Sequence, residues 1–279
     1  MDLIDNTSTQ DTRREELLRE CARCLGSGSH LSARHELALR RWWDAEQVRS
    51  ATLAEALGAS AAWTHTIVEH RAHRHPFYDE LAESADTPEF AEFLLENWAF
   101  PAFLPLVRRA LEVQMCPEAR AALLRNIHDE QIPTPHATLM RRLMTALKAR
   151  VGDSVQPELG ESLIDRTLIF YYGYFCDPWN LVGALYATEV MGRHRMVKMG
   201  AGLERLGFGA ADLEFIRVHI VCDDDHANDW MRGVVVPSLA VNPMLRARLA
   251  QGIAACLSTS ARYLDDLMRR AERRRGQPR

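Results

Sequence analysis

Along most of the chain, apolar residues recur at spacings of three and four, and strict alternation with polar residues is almost absent. The first pattern lines one face of an α-helix, while alternation would mark strands. The periodicity predicts helices at about 13–25, 31–57, 60–74, 87–114, 117–131, 136–151, 158–175, 179–206, 210–234 and 243–274. Thr87 and Pro88 suit an N-cap and a first helical position, and Pro101 marks a kink. Glycines at 207–209 and prolines at 237–243 separate successive helices. With short loops and no internal repeat, the pattern predicts one compact all-α helical bundle. Its expected bounds are 13–274, with 13–59 as a helical extension, 1–12 disordered and 275–279 a basic tail.

Composition narrows the class only slightly. A chain of 279 residues with 47% hydrophobic and 26% charged residues is that of a soluble globular protein. A net charge of −4 supplies no general pull towards nucleic acid. Basic residues concentrate only at the C-terminus, in Arg269, Arg270, Arg273, Arg274, Arg275 and Arg279; no aromatics interleave with them, so they read as a frayed helix end. The start carries Asp2 and Asp5 rather than a signal-peptide core, and no apolar run reaches membrane-spanning length. A cytoplasmic protein without membrane or nucleic-acid partners is expected. Cys21 and Cys24 form a CxxC pair, but no second pair completes a zinc site, so reduced thiols are expected.

Chemistry concentrates in "VHIVCDDDHAND" at 218–229. His219, Asp223 and His226 stand at i, i+4 and i+7, within roughly 60° of arc on one helix face. Asp224 and Asp225 point about 100° and 200° away from Asp223. Two histidines and a carboxylate on an inward-leaning face need partners, because unpaired buried polar groups are costly. A metal would satisfy all three; a partly exposed helix with ordinary hydrogen bonds is the simpler alternative. "RNIHDEQIPTPH" at 125–136 adds Glu130 and His136 on either side of two prolines, with His128 and Asp129 beside them. Glu189 is the only charge between Asp177 and Arg193, a lone carboxylate that must pair or coordinate. A further stripe, His65, Glu69 and His73, is interleaved with arginines and reads as a solvated face.

Taken in order, Glu130, His136, Glu189 and the His219-x3-Asp223-x2-His226 set resemble the haem-oxygenase-like diiron oxidases and oxygenases. "NIHDE" (126–130) is similar to the family's Asn-x-x-acid-Glu segment, and 75–103 resembles the first helices of the wider haem-oxygenase-like fold. The likeness runs from about residue 60 to 260. It implies two Fe2+ ions held by those six residues, O2 as co-substrate, a small amino-acid-like substrate and a place in natural-product biosynthesis. An external electron donor and a homodimer remain open. The short Glu130–His136 spacing leaves room for His128 or Asp129 as a substitute, and Glu89, Glu92 or Glu96 could add a seventh carboxylate.

Three carboxylates offset three of the four charges of two Fe2+ ions, neutral imidazoles complete each ion, and the oxygen–nitrogen donor set disfavours structural zinc. Arg193, Arg195, Lys198, Arg217 and Arg232 are the cations available for a carboxylated substrate. The aromatic group Phe170, Tyr171, Tyr172, Tyr174, Phe175 and Trp179 reads as core that could line a pocket. Rival readings are a cofactor-free oxidase or thiaminase-like enzyme on the same fold, a fatty-acid-oxidising diiron enzyme, and a metal-storage protein. For a thiaminase-like reaction Cys222 lies some 100° off the ligand face. Storage would show Glu-x-x-His pairs, but residues 133 and 192 are Pro and Gly.

Overall fold

A computed structural model describes residues 5–98, 103–113, 115–152, 155–156 and 159–276. Among these, every regular element is helical. An N-terminal hairpin of α1 (Asp5–Ser27) and α2 (Ala33–Ala59) comes first, followed by the short α3 (Trp63–Glu69) and α4 (Pro76–Glu83). Next stand α5 (Thr87–Trp98), α6 (Phe103–Ala110), α7 (Pro117–Asp129), α8 (His136–Val151) and α9 (Glu161–Phe175). The chain ends with α10 (Pro178–Arg205), α11 (Glu214–Asp229), a π-turn (Trp230–Val235), α12 (Val236–Val241) and α13 (Leu245–Gly276). No helix among the described residues is long and apolar enough to cross a membrane.

Several boundaries differ from the periodic pattern. Helix α1 starts at Asp5, inside the segment expected to be disordered; once a helix is nucleated, each polar residue added gains one backbone bond. The predicted 60–74 helix stops at Glu69, so His65, Glu69 and His73 share no single helix. The predicted 87–114 helix is divided into α5 and α6, and Pro101 itself lies outside the described residues. The predicted 210–234 helix shifts into the wider π-turn at Trp230, where Gly233 comes so close to Ala122 of α7 that a side chain there would collide.

Helix α10 is the axis of the bundle, packing against α13, α11, α4, α9 and α6. Its crossing with α13 is close because each helix offers glycine to the other's backbone. A Cβ on Gly183 would overlap the Leu249 carbonyl oxygen, and one on Gly252 would overlap that of Asn180. The N-terminal hairpin covers α9 and α13. Trp43 stacks on Tyr172 at 4.3 Å, so Tyr171, Tyr172 and Trp179 serve the core, as expected, while Phe170 reaches the cavity described below. Beneath the hairpin, the fully buried Glu46 pairs with Arg49 and Arg262, and Trp42 Nε1 donates to Asp165.

Three of the C-terminal arginines are engaged with other helices rather than frayed, while Arg269 and Arg273 stay exposed. Arg270 is buried and pairs with Glu92 and Glu96 at 2.6 Å each; Arg274 pairs with Glu92, and Arg275 with Glu80. Helix α13 carries them inward to buried acids on α4 and α5, which composition alone could not reveal; Arg279 lies outside the described residues. Leaving one of these acids buried without its cation would cost about 3–5 kcal/mol.

The Gly183–Gly252 crossing is directly testable. Gly252→Ala must separate two backbones and should cost about 1–3 kcal/mol. Gly58→Ala on α2 meets nothing within 4 Å and should gain about 0.5–1 kcal/mol. Urea denaturation midpoints should move in opposite directions; matching midpoints would refute the tight crossing.

Candidate metal centre

Four helices bring the six sequence-selected residues together. Glu130 caps the C-terminus of α7, and His136 opens α8. The intervening prolines end one helix and allow a tight return, closed by a bond from the His136 N–H to the Glu130 carbonyl at 3.0 Å. As a result, His136 Nδ1 stands 3.1 Å from Glu130 Oε2. His128 and Asp129, the substitutes left open by the spacing, are exposed. Glu189 comes from the apolar middle of α10, and His219, Asp223 and His226 from the inner face of α11.

Two groups of donor atoms result, each within 4.8 Å: Glu130, His136 and His219 in one, and Cys222, Asp223 and His226 in the other. Glu189 joins the second, its Oε2 lying 3.7 Å from His226 Nδ1. Either group could hold a metal ion. Asp224 and Asp225 are exposed, and Asp224 pairs with Arg193 at the surface. Cys222 corrects the helical-wheel reading, since its sulfur falls among these donors rather than well off their face. Burial pushes its thiol pKa up, so it is a poor nucleophile.

The local bonding fits a metal better than a self-sufficient polar cluster. His219 Nδ1 lies 2.8 Å from the Phe215 carbonyl oxygen. A carbonyl can only accept, so Nδ1 carries the proton and Nε2 keeps its lone pair for a ligand. His226 is 4% exposed, yet neither ring nitrogen has a hydrogen-bond partner among the described residues; Nε2 lies 3.7 Å from Asp129, too far for a bond. Gly192, one turn beyond Glu189, makes room for Asp223, because a Cβ there would overlap the Asp223 carboxylate. A donor set of carboxylate oxygens and imidazole nitrogens suits iron.

Electrostatics carries the same message. Burial, reinforced by Glu189, raises the Asp223 pKa to about 7. Burial also raises Glu189, and it lowers His219 to about 4. Burial opposes charge on Glu130, but His136 chiefly outweighs it and holds the carboxyl below its ordinary value. At His226 burial again opposes the charge, but Cys222 and Glu189 overcome it and raise the ring's pKa. Without a cation, these carboxylates cannot all ionise cheaply in so buried a place.

The centre borders a cavity of about 480 Å³, a volume suited to a small molecule. Glu130, His136, Glu189, His219 and Asp223 line it, together with Phe, Leu and Met side chains. Of the five cations named from sequence, only Arg195 reaches it; Arg193, Lys198 and Arg217 pair at the surface and Arg232 is exposed. Arg166 and Asn97 also line the cavity, and periodicity had not marked them. Glu92 and Glu96 pair with their arginines, and Glu89 exchanges capping bonds with Asp86; none of the three lines the cavity. In the outlying histidine group, His65 and Glu69 are exposed, and His73 packs on His194 at 4.9 Å between ring centres.

The family of iron-containing redox enzymes matches residues 90–261, well over half the chain and the whole of this centre. The chain belongs to this family. As an iron-containing redox enzyme it has the family's all-α, haem-oxygenase-like architecture. It is similar to the 4-chloro-allylglycine synthase of Streptantibioticus cattleyicolor, with 28% identity over 211 residues covering 71% of this chain and 78% of that protein. A solved CADD-like protein of unknown function from Nostoc punctiforme shares the fold at a TM-score of 0.51 and 17% identity, over 83% of this chain and all of that one.

Two outcomes test the centre in this iron-containing redox enzyme. Gly192→Ala displaces the Asp223 carboxylate and should weaken Fe(II) binding about 10–100-fold in an anaerobic titration, as for other groups that position a ligand. The raised pKa values of His226 and Asp223 mean that both hold protons more tightly than free side chains, and both must give them up to coordinate. Metal loading should therefore release protons, and apparent affinity should weaken progressively as pH falls, the loss steepening below 7 as Asp223 also protonates. Calorimetry in buffers of different ionisation heat measures that release; zero release would contradict the protonation states.

Proposed function

We propose that this chain is an O2-activating non-haem diiron oxidase or oxygenase acting on a small, amino-acid-like substrate in natural-product biosynthesis. In this reading Glu130, His136 and His219 hold one iron, and Glu189, Asp223 and His226 hold the other. The observation that carries it is the gathering of these six donors from four helices, five of them lining one cavity and His226 lying behind Glu189. Two Fe2+ ions bound there would supply electrons for reducing O2, with the substrate oxidised beside them.

The chain's own residues supply the remaining requirements. The Phe215 carbonyl fixes the tautomer of His219, and Gly192 admits Asp223. The apolar walls exclude water, which strengthens every charge interaction inside and protects reactive species from side reactions. An amino-acid-like substrate is supported by the name of the Streptantibioticus relative, whose allylglycine is an amino acid, and by a cationic side chain in the cavity wall.

The test is an anaerobic Fe(II) titration followed by an O2 pulse under stopped-flow absorbance. Uptake of about two irons per chain and a transient visible band are expected. Asp223→Ala should abolish O2-dependent turnover, whereas Asp225→Ala, at an exposed position, should leave it nearly intact. Equal losses in both variants, or no stoichiometric iron, would reject the assignment.

A further inference from the structure

The cavity carries two guanidinium groups, and they differ in how they are held. Arg166 is fixed: its Nη1 donates to Asn97 Oδ1 at 2.9 Å, and its guanidinium lies over the Tyr263 ring at 4.8 Å. Arg195 is half-buried on α10 and lines the same cavity; among the described residues it makes no hydrogen bond or ion pair. The two are close enough that Arg195, after burial itself, helps lower the pKa of Arg166. Two like charges facing one cavity repel each other and are costly unless an anion joins them.

No protein anion among the described residues forms a salt bridge with Arg195, whose charge acts only at longer range on Glu189 and Asp223. Among the described residues, the acidic side chains lining the cavity are Glu130, Glu189 and Asp223, the three assigned above to iron. With two Fe2+ bound, their three charges are more than offset, and Arg195 and Arg166 become an excess of positive charge. The rest of the wall is mostly aliphatic, aromatic or thioether. Such a pocket suits a molecule with one anionic end and an apolar body. Its planar, forked guanidinium fits Arg195 for bidentate recognition of a carboxylate.

We infer that Arg195 is the specificity-determining anchor for the carboxylate of an apolar-bodied substrate, with Arg166 reinforcing the positive end of the cavity. This inference rests on the diiron reading for its charge argument. Arg195 follows Glu189 by six residues on one helix, about 9 Å along the axis. A carboxylate held by Arg195 therefore leaves a short carbon chain extending towards the predicted ligands. Because no further acid among the described residues lines the cavity, a substrate ammonium gains no charged partner from them, and the carboxylate dominates recognition. An α-amino acid and a plain aliphatic acid both present this chemistry.

The experiment is calorimetric binding of hexanoate, L-norleucine and hexanamide to the full chain loaded with Fe(II) under argon, with iron uptake measured on the same samples. Saturable binding of a carboxylate, at least about tenfold tighter than hexanamide, is expected. Arg195→Met should abolish that preference while leaving iron uptake unchanged, and Arg195→Lys should restore part of it. Tighter binding of L-norleucine would identify the amino-acid source, and tighter hexanoate the aliphatic one; either supports the anchor. The inference is overturned if neither carboxylate binds, if hexanamide binds equally well, or if Arg195→Met keeps the preference. Carboxylate preference without iron uptake would reject the diiron reading and spare the anchor; iron uptake without preference would do the reverse.

Discussion

The structure depends on how closely helices can approach α10. Where α10 meets α13, glycines on both helices let backbone lie against backbone. Further along, Gly192 lets the Asp223 carboxylate of α11 settle directly on the α10 backbone, beside Glu189. Ligand geometry is therefore set by interhelical distance, and that distance is limited by the absence of side chains. Bulk on this stripe would push α11 outward and separate the two donor groups.

A second constraint is electrostatic. Three carboxylates and three imidazoles are gathered in a largely buried place, and burial dominates the protonation of Glu189, His219 and Asp223. Such a cluster is stable when cations share it. The fold treats its other buried acids in the same way, giving Glu46 to Arg49 and Arg262, and Glu92 and Glu96 to Arg270. Among the described residues Glu189 and Asp223 form no salt bridge with an arginine, Arg195 acting on both only at longer range, which sets this cluster apart from the structural ion-pair networks.

Much of this was legible in the sequence because helices write their faces at fixed spacing. The i, i+4, i+7 set on α11 and the isolated charge of Glu189 stood out for that reason. Other features depend on long-range approach, which leaves no local trace. Arg270 looked like part of a basic tail until α13 carried it to Glu92 and Glu96. Cys222 looked misdirected on an ideal wheel, yet its sulfur reaches the donor atoms of its neighbours. Among five candidate arginines and lysines, only tertiary packing could single out Arg195. Gly192 offered a clue, a glycine one turn from Glu189 in the middle of a long helix, where glycine is otherwise disfavoured.

The buried ion pairs of α13 extend further than their own helix. Arg270 holds Glu96, Glu96 accepts the Tyr263 hydroxyl, Asn97 donates to that hydroxyl oxygen, and Arg166 donates to Asn97. A hydrogen-bonded chain thus leads from the last helix to a guanidinium in the cavity wall. The shape of the cavity depends partly on the last turns of α13, so a chain interrupted before Arg270 would carry the six candidate ligands but not the finished cavity wall.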